Sequence, residues 1–73
     1  MPRKLRQLKA ELRRAGFSEV TGGGKGSHSK WEHPLAAGPI LLAGKDGSDA
    51  KAYQEQQVRA AIQEVEHANR REP

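Results

Sequence analysis

The chain has 73 residues, is 34% hydrophobic and 30% charged, and contains no cysteine. One domain spanning 1–73 is therefore expected, with any functional surface shallow, and disulfide staples or cysteine-ligated zinc are excluded. No apolar run nears the roughly 20 residues of a membrane span, and the basic start Met1-Pro2-Arg3-Lys4-Leu5 lacks the apolar block of a signal peptide, so a cytoplasmic location without membrane attachment is expected.

Leu5, Leu8, Leu12 and Ala15 recur at helical spacing with Arg3, Lys4, Arg6, Lys9, Arg13 and Arg14 around them, which predicts a helix over about 3–15. Gly16 stands where a left-handed C-cap belongs, and Arg13 and Arg14 suit the negative end of the dipole. Phe17 to Thr21 alternates as a short strand. The glycines at 22, 23, 24 and 26 make a loop, and a second strand is predicted from Ser27 to His33, ended by Pro34. On that strand Ser27, Ser29, Trp31 and His33 share one face, expected to pack under the helices. His28, Lys30 and Glu32 share the other, expected to meet water. Ile40 to Ala43 is a third, apolar strand. Gly44 to Asp49 reads as a polar loop in which Ser48 or Asp49 caps the next helix. That helix carries Val58, Ala61, Ile62, Val65 and Ala68 or Asn69 on one stripe, extended by Tyr53. It is expected to end near Ala68, with a frayed tail over about 69–73.

Charge is uneven. Residues 1–33 hold eight Lys/Arg against three Asp/Glu, whereas residues 34–73 hold five against six. A basic half points to a polyanion-facing surface, with a solvated basic helix as the plain alternative. The run Gly22-Gly23-Gly24-Lys25-Gly26-Ser27-His28 is not a P-loop: Lys25 precedes Gly26 rather than Ser or Thr, and a strand follows it instead of a helix. The dinucleotide fingerprint fails for the same topological reason. His28 and His33 point to opposite strand faces and His67 lies on the last helix, so no metal site and no cofactor are expected.

His28 between Lys25 and Lys30 suits a different chemistry. An imidazole can take and give a proton near neutral pH, and fixed ammonium groups stabilise a phosphate whose charge grows in the transition state. RNA cleavage fits this combination, because a general base can draw the proton from a ribose 2′-hydroxyl that then attacks the adjacent phosphate. A surface histidine among solvated lysines is the alternative.

Ala15-Gly16-Phe17, then Gly26-Ser27-His28, then an aromatic strand ending His33-Pro34, resembles the HicA family, the RNA-cleaving halves of bacterial HicA–HicB toxin–antitoxin pairs. The likeness extends over nearly the whole chain, including Gly44-Lys45-Asp46 through Tyr53 to Val58 and Ile62. It implies an α+β fold of order α-β-β-β-α, like the double-stranded RNA-binding domain, with two helices on one face of a three-stranded antiparallel sheet. It also implies a metal-independent mRNA endoribonuclease (an mRNA interferase) with His28 as the catalytic residue, and a HicB-like antitoxin partner that covers this surface. The partners expected are thus mRNA and that antitoxin, with no DNA binding by this chain on its own. Two departures stand out. Many members carry a Pro-x-His segment before the last helix, whereas Pro39-Ile40-Leu41 has no histidine, and Trp31 stands where relatives often have Phe or Tyr. A non-catalytic RNA- or protein-binding module of the same fold is the competing expectation.

Around His28, the candidate RNA contacts are Lys25, Lys30, Gly24, Gly26 and Ser27. Arg6, Lys9, Arg13 and Arg14 are expected to form a stripe along the first helix, which would serve RNA or an acidic antitoxin equally. Trp31 can stack on a base or fill the core, and the core is the better use of a single tryptophan. His33 is expected to be structural.

Overall fold

Helix α1 spans Leu5–Arg14. Its one-sided leucines bury completely while its arginines stay outside, and Gln7 Oε1 reaches back to accept the Lys4 backbone N–H at 2.7 Å. Its end follows from Gly16, whose φ of +98° admits no ordinary side chain without strain. That turn lets Phe17 N–H bond to Leu12 C=O (2.9 Å) and Gly16 N–H to Arg13 C=O (3.0 Å), a Schellman closure. The computed structural model describes residues 3–20 and 28–70.

Strand β1 is Ser18–Glu19, β2 is His28–Glu32 and β3 is Ile40–Ala43, joined antiparallel in the order β1-β2-β3. Ser18 opposes Glu32 and Glu19 opposes Trp31; Trp31 opposes Ile40, and His28 opposes Ala43. Strand β1 is shorter than the expected 17–21: Phe17 is taken by the helix closure, and Thr21 lies outside the described residues. Val20 still donates to Lys30 C=O at 2.8 Å. Period-two alternation decides the faces. Ser29, Trp31, Ile40 and Leu42 are buried, whereas His28, Glu32, Leu41 and Ala43 are exposed.

Helix α2 runs Ala52–Arg70, past the expected end near Ala68, so Asn69 and Arg70 belong to the helix. No glycine or proline interrupts the chain there, and His67 and Arg70 suit the last turn. Neither Ser48 nor Asp49 caps it. Lys51 precedes the helix, its N–H donating to Gln54 Oε1 at 2.8 Å, while Asp49 is held by Lys4 Nζ at 2.5 Å. Tyr53 does not extend the apolar stripe: it is 59% exposed, and Gln54 is buried in its stead, donating Nε2–H to Ala43 C=O at 3.0 Å. Val58 and Val65 of α2 join Leu5, Leu8 and Leu12 of α1 over Trp31, Ile40 and Leu42 in one core, with Ala61 and Ile62 packed against it. Both helices therefore lie on the same face of the sheet, and the other face is open among the described residues. No helix is long and apolar enough to cross a membrane among the described residues.

Candidate nucleic-acid interface

His28 opens β2 with its side chain on the open side. It lines a depression of about 350 Å³ together with Lys9 of α1, Glu19 of β1, and Gly44, Lys45 and Asp46 of the turn that follows β3. That turn is clamped to the start of α1. Leu5 N–H bonds to Ser48 C=O (2.9 Å), Arg6 N–H to Asp46 C=O (3.1 Å), and Ser48 N–H to Lys45 C=O (2.9 Å). Gly44, with a φ of +123°, makes this approach possible, because a β-carbon there would overlap Leu5 Cδ1.

Lys9 Nζ meets Asp46 Oδ1 at 2.5 Å; the lysine side chain is 13% exposed and the aspartate 66%. The hydrogen bond and charge of Lys9, helped by the charges of Arg13 and Arg6, hold the Asp46 carboxyl below the usual carboxylate range. Of the predicted stripe on α1 only Lys9 lines the depression that His28 lines, and Lys45 adds a further cation that the sequence reading did not single out. Its signal was present in Gly44-Lys45-Asp46, but only the turn after β3 brings it beside His28. Glu19 and Asp46 were not singled out either, since their place depends on strand pairing and on the clamp.

The other predicted residues divide. Lys30 shares the open face with His28, half-buried, with its ammonium 3.7 Å from Glu32. Gly24, Lys25, Gly26 and Ser27 lie outside the described residues. Arg13 is 3.6 Å from Glu19 and stacks over the Trp31 ring at 5.0 Å, so part of its surface is committed within the fold. Trp31 itself is 0% exposed, and its Nε1–H donates to Ser29 Oγ at 3.0 Å. Stacking of Trp31 on an RNA base is thereby excluded: both faces of the indole are covered by the core and by Arg13. His33 packs against Phe17 with ring centroids 5.1 Å apart, and its Nδ1 accepts the Leu35 N–H at 3.0 Å. It ties the end of β2 to the turn beyond.

A larger depression, about 450 Å³, lies at the opposite end of β2 against Ser18, Glu32, His33 and Pro39. Its described lining holds no lysine or arginine and includes a carboxylate, so it is the poorer match for a phosphate. Among the described residues no three His, Asp or Glu side chains converge as a metal-holding group. Compared with known proteins, the chain matches no family model, no curated protein and no solved structure.

Proposed function

We propose that this chain is an endoribonuclease of the HicA type, the toxin of a toxin–antitoxin pair, cutting mRNA with His28 as its acid/base group. The observation that carries the reading is an exposed histidine at the head of β2, one of the residues that line a depression with Lys9 and Lys45. The α-β-β-β-α order, which the resemblance to HicA implies, supports it. In the proposed step His28 takes the proton of a ribose 2′-hydroxyl, the 2′-oxygen attacks phosphorus, and the bond to the 5′-oxygen breaks. The leaving oxygen takes a proton in turn. The products are a 2′,3′-cyclic phosphate and a 5′-hydroxyl end, and the ammonium groups balance the added charge on the phosphoryl oxygens. A HicB-like antitoxin is the proposed protein partner over this open face, and the cytoplasm the proposed site of action.

The test uses purified protein and the His28→Ala variant, each incubated with mRNA in EDTA. Cleavage by the wild type and its loss in the variant are expected, with cyclic phosphate ends. Equal cleavage by both proteins removes His28 from the mechanism, and loss of wild-type cleavage in EDTA points to a metal enzyme.

One feature favours a second reading, a binding module that holds RNA without cutting it: no histidine follows Pro39, so the imidazole that many HicA members place there is missing. That reading predicts RNA retention falling steeply with salt, as released counterions dictate, with no cleavage and no growth arrest on expression.

A further inference from the structure

Asp46 stands in a paradoxical place: a carboxylate in the middle of a basic stripe that would otherwise be free to meet a polyanion. Its backbone is pinned to α1 through the Arg6 N–H at 3.1 Å, so the carboxylate is fixed relative to the helix. It meets Lys9, whose whole side chain is largely buried while the aspartate is mostly exposed. An ion pair with so exposed an aspartate contributes little to stability. Its stronger consequence is geometric. A lysine ammonium on a four-carbon stem sweeps several ångströms unless something holds it, and here it is held in the wall of the depression that contains His28.

We infer that Asp46 is a positioning residue, holding the Lys9 ammonium where it stabilises the charge that develops on the phosphoryl oxygens beside His28. The inference rests on the endoribonuclease reading and adds to it a division of labour. His28 moves the proton, Lys9 carries fixed charge, and Asp46 fixes that charge in place. Preorganised charge accelerates a reaction because it needs no rearrangement at the moment of bond making. The cost is a weaker ground-state attraction for RNA, since Asp46 subtracts one charge from the patch.

Those two effects have opposite signs, which makes the role testable. Asp46→Asn frees Lys9 and removes a negative charge. The expected result is a kcat for RNA cleavage lowered about 10–100-fold, with KM unchanged or lower. Lys9→Met should lower kcat by a similar factor, and the Asp46→Asn/Lys9→Met pair should be no worse than Lys9→Met alone, since both changes remove one function. Asp46→Glu, which keeps a carboxylate for Lys9, should recover part of the rate. Circular dichroism and melting curves check that each variant is folded, and Asp46→Glu serves if Asp46→Asn is not. An unchanged or raised kcat in Asp46→Asn, a rise in KM alone, or a fully additive double variant overturns the inference while leaving His28 catalysis intact. Wild-type protein that cuts no RNA, or cuts it equally well as His28→Ala, overturns both.

Discussion

Replacing Trp31 by Phe tests whether the only tryptophan is a structural or an RNA-contacting residue. The indole is fully buried, and its N–H satisfies Ser29 Oγ at 3.0 Å, whose other contact, Leu42 C=O, is a marginal 3.5 Å away. Losing that hydrogen bond costs about 1 kcal/mol, and the unfilled space of the smaller ring adds about 1–2 kcal/mol. A total of about 2–3 kcal/mol is a large share of the roughly 4–11 kcal/mol expected for a domain of this length. It corresponds to a fall in Tm of about 8–24 °C. Trp31→Ala, at about 3–5 kcal/mol, would leave the domain near its stability threshold. Because the chain has one tryptophan, its fluorescence reports this position alone. Wild-type emission should be that of a shielded indole, acrylamide should quench it weakly, and thermal melts should show the predicted drop in Trp31→Phe. A red, easily quenched emission together with a Tm within about 2 °C of wild type refutes the reasoning, and with it the exclusion of base stacking.

Other changes probe the frame around the depression. Gly44→Ala forces a β-carbon into Leu5 Cδ1 at a φ of +123°, and a loss of about 1–3 kcal/mol is expected in chemical denaturation, more than for an ordinary loop glycine. Gln54→Ala removes two hydrogen bonds at a buried site, leaving Ala43 C=O without its side-chain donor, and should cost about 1–3 kcal/mol by the same assay. Leu41→Ser lies on the open face, 59% exposed, and should change stability by no more than about 0.5 kcal/mol; a larger loss would mean that this face is covered. For Asp46 the folded carboxyl titrates below its ordinary 3.8, so its contribution to stability is complete above that value and disappears as pH falls through the lower folded value. Melts of wild type and Asp46→Asn should differ at neutral pH and converge in strong acid, and a gap that persists there would contradict the assignment of the ion pair.

Much of this architecture was readable from residue order because the signals are local. The leucines of α1, the Gly16 closure and the alternation along β2 each depend on neighbours within a few positions, and each element formed where its pattern indicated. Three details escaped because they depend on partners distant in the chain. Gln54 is buried through Ala43, Asp49 is drawn from capping by Lys4, and Tyr53 turns outward because the helix stripe aligns on Val58 rather than on it. His28 was legible as an exposed strand residue with Lys30 on the same face, but two cations of its depression could not be named from sequence spacing: Lys9 and Lys45 lie 19 and 17 positions away along the chain.

Composition and periodicity by themselves determined the helices, the strands, the buried tryptophan face and the open face, since burying an apolar stripe and exposing a charged one leaves little choice over these lengths. Only the tertiary structure decided that the turn after β3 folds back on α1 and delivers Asp46 to Lys9 and Lys45 to His28. Main-chain hydrogen bonds to the first turn of a helix, made possible by one glycine with positive φ, set that approach, and no periodicity along the chain records them.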